Sequence, residues 1–394
     1  MNTASEMLML DSGSVVSKLE ALLKGAPRPV ALHEPVFQGN EWRNLKECLD
    51  SGWVSSVGSY VDRFERELGE HIGGYAVAVS NGTAALHACL ILAGVEANDE
   101  VLVPALTFIA TANAVTYCGA IPHFVDSTEA TLGIDPDRMA EYLKGIAEVR
   151  GKECRNRKTR RRIKAVVPMH TFGHPVDLDS LKDVAATFRL ALVEDAAESL
   201  GSYYKGNHTG PLGAVGALSF NGNKVITTGG GGAVVTRDAE LASRAKHLTT
   251  TARIPHRWSF IHDEVGYNYR MPNLNAALGC AQLEALPALV RKKRSLAERY
   301  AAAFAGMTGM RVFAEPSFAS SNYWLNVLML DESAAGKRDE ILEMTNARGI
   351  HTRPVWTPMH MLPIYSGCPR MELPVVASLE RRIVCLPSGP RLVS

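Results

Sequence analysis

Short apolar runs alternate with helix-like stretches over the middle of the chain, from about Gly74 to about Thr236. The apolar runs are YAVAV, EVLVPALTF, IKAVVPMH, RLALVED, GALSF and GGAVVT, and each ends in small or polar residues. Unbroken runs rich in Val, Ile, Leu and Ala are typical of strands that are buried on both faces. Their alternation with helices predicts an α/β domain of three layers, α/β/α, around a mostly parallel sheet.

The pattern changes after about residue 265. Asn273 to Phe304 carries apolar residues at spacings of three and four, which predicts long helices over NLNAALGCAQLEAL and VRKKRSLAERYAAAF. The runs NYWLNVLML and RRIVCL predict strands of a smaller α+β domain. A length of 394 residues is enough for two cores. We therefore predict an N-terminal extension over 1–30, a large domain over 31–264 and a small C-terminal domain over 265–394.

Charge and cysteine usage exclude several classes of partner. With 42 Lys and Arg against 41 Asp and Glu, the net charge of +1 provides no field that would attract nucleic acid or an anionic membrane. The one dense basic run, Arg150 to Lys164, is interpreted as a solvated loop before a strand. The seven cysteines show no Cys-x-x-Cys spacing, which speaks against a zinc site and a disulfide framework.

The start of the chain and its apolar stretches predict a cytoplasmic protein. The segment MNTASEMLMLDSG carries acids where a signal peptide carries Lys or Arg. The most apolar stretch, Val101 to Val115, is interrupted by Pro104 and by polar residues. We expect no metal, no membrane contact and no nucleic-acid partner.

Two charged residues follow predicted strands of the α/β region. Asp195 ends RLALVED, and Lys224 follows GALSF within SFNGNKVITTGGGG. Ligands of open α/β sheets bind beyond the carboxyl ends of the strands. From the residues alone, Asp195 fits a metal ligand, a helix cap or a counter-ion, and most lysines are simply solvated. A sheltered lysine amine, however, is both a nucleophile and a proton carrier.

Two further segments suit a flat anionic ligand. SNGTAALHACLILAGV follows YAVAV, and its turn offers backbone N–H groups for a phosphate, although a simple cap by Ser80 or Asn81 explains it equally well. Phe108, in PALTFIATAN, either stacks on a heterocycle or fills the core. Taken together, the turn, the ring, the acid and the lysine match the needs of pyridoxal phosphate: an anion site, a stacking face, an acid for the ring nitrogen and an amine for the aldehyde.

Nearly the whole chain resembles the DegT/DnrJ/StrS family of sugar aminotransferases, which are fold type I pyridoxal-phosphate enzymes. The resemblance runs from LHEPVFQGNEW to LPSG and rests on NGTAALH, PALTFIATAN, EDAAES, SFNGNK, TTGGGGAVVT and YNYRMPNLNAALGCAQLE, in that order. The segments HTFGHPVDLD, EDAAESLGSYYKG, SFNGNKVITTGGGG and KHLTTTA resemble in particular the branch that aminates C4 of nucleotide-linked 4-keto-6-deoxy-N-acetylhexosamines on the way to legionaminic acid and related sugars.

The resemblance implies a role for each candidate residue. Lys224 would bind the aldehyde of the cofactor covalently, and Asp195 would pair with its pyridine nitrogen. Glu198 stands near the cofactor, where many relatives carry Gln or His, and its role is open. Arg270 is either a substrate ligand or part of a structural ion pair. The other implied cofactor contacts are Thr83, Ala84 and Ser219 at the phosphate, Phe108 on the ring, and Asn268 at the phosphate of the neighbouring subunit.

The implied reaction is the transfer of an amino group from L-glutamate to C4 of the nucleotide-linked sugar, in bacterial surface-sugar biosynthesis. Pyridoxal 5′-phosphate would alternate with pyridoxamine 5′-phosphate, and a homodimer would share its active sites. One alternative is a dehydratase of the same fold, whose members usually carry His in place of the lysine. The other is a non-catalytic regulatory relative. Lys224 speaks against the first, and the complete set of site residues speaks against the second.

Overall fold

The computed structural model describes residues 10–393. Several of its helices begin at an aspartate whose side chain accepts backbone N–H groups of the first turn, among them the helices capped by Asp135, Asp177 and Asp238. The helices are α1 (Ser12–Leu22), α2 (Glu41–Ser51), α3 (Ser59–Ile72), α4 (Gly82–Leu92), α5 (Ile109–Tyr117), α6 (Pro136–Ile146), α7 (Leu178–Phe188), α8 (Ala239–Thr249), α9 (Asn273–Phe304), α10 (Arg338–Ala347) and α11 (Pro374–Arg382).

The strands fall mainly into one large and one smaller sheet. Those of the first part of the chain are β1 (Tyr75–Val79), β2 (Glu100–Pro104), β3 (Ile121–Val125), β4 (Ala147–Arg150), β5 (Glu153–Asn156), β6 (Arg162–Val166), β7 (Ala191–Asp195), β8 (Tyr203–Tyr204), β9 (Asn207–His208), β10 (Val215–Ser219) and β11 (Gly232–Thr236). The remaining strands are β12 (Arg253–Ile254), β13 (Ile261–His262), β14 (Met310–Val312), β15 (Ala319–Ser320), β16 (Asn326–Leu330), β17 (Arg353–Pro354) and β18 (Ile383–Leu386).

The central sheet confirms the predicted α/β fold. Its order is β1-β11-β10-β7-β6-β2-β3, and the pairs from β10 to β3 are parallel, whereas β11 runs antiparallel to both of its neighbours. Asp195 ends β7 and lies opposite Ala217 of β10, which itself ends at Ser219. The parallel pairing therefore brings the carboxyl ends of two adjacent strands, and their polar residues, to one edge of the sheet.

A second sheet lies near the C-terminus, with the antiparallel order β14-β16-β18-β17. The predicted strand NYWLNVLML is shortened to β16, because Asn322 turns its side-chain amide toward the carbonyl oxygens of Glu198 and Leu200. The run RRIVCL is likewise divided, since its two arginines complete α11 and only Ile383–Leu386 forms β18.

The segment predicted as two helices is a single helix, α9, of 32 residues. Pro287 suggests a break because proline lacks the N–H of a helical hydrogen bond. The helix continues through it, and the two halves pack against different neighbours. Leu283 and Leu286 belong to the core around the central sheet, whereas Leu296, Tyr300 and Phe304 belong to a second core.

The basic run from Arg150 to Lys164 is not the simple loop that its charge predicted. It contains β5, which pairs with β4 and β6, and it leads directly into β6. Its charges are partly neutralised by neighbouring acids: Arg155 contacts Glu153 at 2.8 Å, and Arg162 contacts Asp99 at 2.7 Å. Ion pairs along short strands therefore engage part of this basic run.

The second core joins both ends of the described chain. Val15 and Leu19 of α1 pack with Tyr300 of α9 and with Leu328 and Val384 of the smaller sheet. Residues 1–9 of the predicted N-terminal extension lie outside the described residues. The division at residues 31 and 265 stays a prediction.

Candidate active site

Lys224 lies in a tight turn after β10, where its backbone N–H donates to the Asn221 carbonyl at 3.0 Å. Its side chain is only 14% exposed. The Nζ atom lies 3.2 Å from Oε1 of Glu198 and 3.9 Å from the centroid of the Trp324 indole. An amine held between a carboxylate and an aromatic face has a defined position, as a reacting group requires.

Asp195 is buried at the end of β7. Its Oδ2 atom accepts a hydrogen bond from the Thr111 hydroxyl at 2.7 Å, and Oδ1 accepts the Ala197 N–H at 3.2 Å. Burial raises the pKa of Asp195, which the two hydrogen bonds and the nearby charge of Lys224 only partly oppose. No basic side chain within residues 10–393 forms an ion pair with this carboxylate. The protonated pyridine nitrogen of pyridoxal phosphate would supply the positive charge that this carboxylate lacks.

Glu198 contacts Lys224 directly. Its Oε2 atom accepts the Phe172 N–H at 2.9 Å, while Oε1 faces the lysine amine. Burial raises the pKa of Glu198 to about 7, and the negative charge of Asp195 acts in the same direction, whereas Lys224 opposes it. Burial therefore brings the ionisation of this carboxyl close to neutral pH.

Two glycines let the turn before α4 pack closely against β10 and β11. A Cβ atom on Gly82 would lie 2.7 Å from the Cβ atom of Ser219. A Cβ atom on Gly232 would lie 2.6 Å from the carbonyl carbon of Asn81. Any other residue would push the turn away from the strands, so the first glycine of NGTAALH and the last of GGGG serve the same close approach.

The start of α4 carries a side-chain cap. Oδ1 of Asn81 accepts the Ala84 N–H at 2.8 Å, so the alternative of a simple cap is realised in part. Ala84 is buried and does not line the cavity described below, whereas Thr83 and Ser219 do. The phosphate role of all three residues stays a prediction.

One cavity of about 350 Å³ gathers most of the predicted site residues. It is lined by six of them: Thr83, Phe108, Asp195, Glu198, Ser219 and Lys224. Phe108 is 48% exposed, so its ring faces the cavity instead of filling the core. The acid, the amine and the helix start therefore surround a single space, and these residues fit pyridoxal phosphate.

The motif residues Asn268 and Arg270 lie outside this cavity. Oδ1 of Asn268 accepts a hydrogen bond from Nε of Arg270 at 2.9 Å, and Asn268 itself is exposed. Arg270 lines a separate surface depression together with Lys246 and Arg253. The predicted contact of Asn268 with a neighbouring subunit stays a prediction.

Three residues of the site were missed from the sequence. Thr111 bonds to Asp195, and the indoles of Trp324 and Trp356 line the cavity. Thr111 stands within the quoted motif PALTFIATAN, three residues after Phe108, so one turn of helix would have placed it on the same side. The tryptophans come from the C-terminal part of the chain and carry no local signal of their own.

Comparison with known proteins assigns the fold and the site to a family. The profile of the DegT/DnrJ/EryC1/StrS aminotransferase family matches residues 36–394. The chain belongs to this family. Within the DegT/DnrJ/EryC1/StrS family, it is 38% identical to the GDP-perosamine synthase of Escherichia coli O157:H7, over 92% of this chain and 94% of that protein.

Other members of the family agree. The chain is 35% identical to the putative pyridoxal phosphate-dependent aminotransferase EpsN of Bacillus subtilis, over 93% of this chain and 92% of that protein. Among solved structures, the aminotransferase TlmJ of Streptoalloteichus hindustanus has a TM-score of 0.81 at 31% identity, over 91% of this chain and 93% of that chain. DesI, determined in the presence of its TDP-sugar product, has a TM-score of 0.79 at 31% identity, over 95% and 92% of the two chains.

Membership of the DegT/DnrJ/EryC1/StrS family confirms three predictions. The protein has the fold of the type I pyridoxal-phosphate enzymes, it is a sugar aminotransferase, and pyridoxal phosphate is its cofactor. Among residues 10–393, no helix is long and apolar enough to cross a lipid bilayer.

Proposed function

We propose that this aminotransferase moves the amino group of L-glutamate to C4 of a nucleotide-linked 4-keto-6-deoxyhexose. One observation carries the proposal: the amine of Lys224 and the buried carboxylate of Asp195 line the same cavity. An amine for an aldehyde and an acid for a ring nitrogen are what transamination requires of the protein.

Two sugars are candidates for the acceptor. The segments that resemble the legionaminic-acid branch favour an N-acetylated hexosamine, carried by UDP or GDP. The names of three relatives, the GDP-perosamine synthases of Escherichia coli, Vibrio cholerae and Caulobacter vibrioides, favour a GDP-linked hexose. These relatives are 36–38% identical to this chain, which supports related chemistry without deciding the substituent at C2.

The proposed roles of the residues follow from their positions. When bound, pyridoxal phosphate supplies the electron sink that lets a Cα–H bond break. Lys224 carries the proton at Nζ, and Glu198 holds that amine in place through its Oε1 atom. Asp195 keeps a proton on the ring nitrogen, because a buried carboxylate is stabilised by an adjacent cation.

Other residues orient the cofactor and exclude water. Thr83 and Ser219 would bind the phosphate, and Phe108 would cover one face of the ring, since all three line the cavity. Trp324 and Trp356 add apolar surface to the cavity lining, which strengthens the electrostatic contacts inside.

We further propose that the protein acts as a cytoplasmic homodimer with shared active sites. Large apolar side chains are exposed on the surface, including Trp42, Trp53, Trp258, Phe260 and Val265. Trp258, Phe260 and Val265 are 71%, 75% and 82% exposed, which is costly in water and favours burial against a second copy. The segment 253–266 also lies close in sequence to Asn268, the residue predicted to reach the neighbouring subunit.

A panel of acceptors tests the function. The enzyme loaded with cofactor is mixed with glutamate and one nucleotide-linked 4-keto-6-deoxy sugar at a time, UDP- and GDP-linked, with hydroxyl or acetamido at C2. We expect an aminated product at C4 from at least one sugar, observed by mass change and by NMR, together with 2-oxoglutarate. Loss of a sugar hydroxyl without amination would instead support the dehydratase alternative.

A further inference from the structure

A second cavity adjoins the catalytic one. It has a volume of about 410 Å³ and shares Asn223, Trp324 and Trp356 with the first cavity, so the two indoles stand where the cavities meet. Most of the additional lining is apolar, and the polar side chains that it adds are His33 and Arg353. No carboxylate of the described residues lines it.

His33 is held firmly at the wall of this cavity. Three residues before it, the Val30 N–H donates to the Gly349 carbonyl at 2.8 Å. Directly before it, the Leu32 carbonyl accepts a hydrogen bond from the Ser388 N–H at 2.7 Å. These bonds hold the backbone next to His33 in place, and the residue as a whole keeps part of its surface exposed.

The ring nitrogens of His33 have no protein partner. Both are buried, and neither forms a hydrogen bond with another residue in the range 10–393. Burial, with the positive charges of Lys293 and Lys224, holds the pKa of His33 well below its ordinary value. A neutral imidazole offers one N–H donor and one nitrogen acceptor. Two unsatisfied groups of this kind, on a residue that lines a cavity, are suited to a ligand that can both donate and accept.

The other walls narrow the chemistry of this ligand. The Trp324 indole is fixed by its Nε1–H, which donates to the Asn223 carbonyl at 2.7 Å. Phe172 lies 5.1 Å from Trp356, centroid to centroid, and extends the aromatic surface. Nη1 of Arg353 donates at 2.8 Å to Oδ1 of Asn346 and to the Thr352 carbonyl. Aromatic faces beside a neutral donor and acceptor favour a ring that carries hydroxyl groups over a carboxylate.

We propose that His33 determines acceptor specificity by exchanging hydrogen bonds with a ring hydroxyl of the sugar, while the indoles of Trp324 and Trp356 contact the apolar face of that ring. The inference rests on the proposed function, because the sugar must enter from the catalytic cavity that these indoles border. His33 then acts on the second half-reaction only, since glutamate carries no hydroxyl group. It is the histidine of LHEPVFQGNEW, the segment where the family resemblance begins, and the sequence assigned no role to it.

The test measures each half-reaction separately. His33→Phe keeps an aromatic ring at this position but removes both hydrogen-bonding nitrogens. His33→Asn and His33→Gln instead place an amide donor and acceptor there. The matched control is His351→Phe, on the segment whose N–H donates to the Val30 carbonyl at 2.9 Å, because His351 lines neither cavity. Stopped-flow absorbance follows the loaded enzyme first with glutamate, then with the acceptor identified by the panel.

We expect His33→Phe to lower kcat/KM for the acceptor about 10- to 100-fold, because a sugar hydroxyl would enter the site without a partner. The glutamate half-reaction should change by less than about twofold. The amide variants should recover part of the loss, and His351→Phe should behave as wild type. Among acceptor analogues that each lack one ring hydroxyl, one should lower wild-type kcat/KM by the same factor and leave His33→Phe unchanged.

Several results would overturn the inference. Equal losses in both half-reactions of His33→Phe would assign a structural role to the residue. Normal acceptor kinetics in that variant would show that the proposed hydrogen bond is not made. Deoxy analogues that change kcat/KM by the same factor in wild type and in His33→Phe would show the same. If the wild-type enzyme aminates no sugar of the panel, the proposed function falls together with this inference, whereas an active wild type with a normal His33→Phe overturns the inference alone.

Discussion

Trp324 contacts two lysines that differ in almost every physical respect. Nζ of Lys224 lies 3.9 Å from the centroid of the indole ring, and Nζ of Lys293 lies 3.1 Å from the carbonyl oxygen of the same residue. Lys224 has a carboxylate partner and lines the catalytic cavity. Lys293 is fully buried and donates to two main-chain carbonyls, those of Trp324 and Ser388.

The comparison separates burial from reactivity. Burial lowers the pKa of Lys293 to about 7, a property often associated with catalytic lysines, yet its amine faces only carbonyl oxygens and lines neither of the two adjoining cavities. Lys224 instead lines the catalytic cavity, contacts the carboxylate of Glu198 and lies near Asp195. Access to a ligand, more than depth below the surface, distinguishes the proposed catalytic amine from the structural one.

The largest effect should come from removing the amine of Lys224. We expect Lys224→Ala to lower kcat by a factor on the order of 10⁴ or more, because nucleophile and proton carrier disappear together. Binding of the cofactor phosphate should survive in part. Lys293→Met serves as the matched variant and should keep kcat within about tenfold. Equal steady-state turnover in the two variants would contradict the distinction between a catalytic and a structural lysine.

The second prediction concerns stability and Lys293. The folded pKa is about 7 and the ordinary value is 10.5, so the folded state loses stability relative to the unfolded state as pH falls from about 10.5 to about 7. Lys293→Met lacks this dependence, although it leaves two carbonyls unpaired at about 1–3 kcal/mol each. Its free energy of unfolding relative to wild type should therefore rise as pH falls through this range, by at most about 5 kcal/mol.

Urea unfolding at pH 7 and at pH 10 measures this difference. Lys292→Met, at the half-exposed neighbouring position on α9, is the control and should show an offset that does not depend on pH. A pH-independent offset in Lys293→Met as well would show that the buried amine keeps its ordinary pKa.

A smaller effect of opposite pH direction is expected at Glu198. Its pKa is raised from 4.5 to about 7, so its contribution to stability is complete below about pH 4.5 and is lost as pH rises toward 7. Glu198→Gln cannot ionise, and its free energy of unfolding relative to wild type should rise over this interval by at most about 3 kcal/mol. Denaturant titrations of the cofactor-free protein at pH 5 and pH 8 would reveal it. A difference that falls with pH would mean that the contact with Lys224 dominates burial.

The sequence predicted the parts of the site whose signal is local. Asp195 and Ser219 end unbroken apolar runs, so their places at the edge of the sheet follow from hydrophobic pattern and parallel pairing. Lys224 stands five residues after Ser219, so it is expected at the same edge of the sheet. The chemistry of the cofactor then explains why an acid, an amine and a helix start belong together.

The rest depends on how distant segments return to the sheet. Trp324 and Trp356 come from beyond α9, and His33 precedes the first strand, so no periodicity relates them to β7 or β10. The continuity of α9 through Pro287 likewise depends on packing against two different cores. The role of Asn268 depends on a second subunit and stays a prediction.

The most direct measurement identifies the lysine that binds the cofactor. The protein is loaded with pyridoxal phosphate, reduced with borohydride, digested and mapped by tandem mass spectrometry. We predict the phosphopyridoxyl mass on Lys224 alone, with Lys293 unmodified and with no labelled peptide in Lys224→Ala. A label on Lys293 or on any other lysine, or the absence of a label from the loaded wild-type protein, would contradict the assignment of the active site.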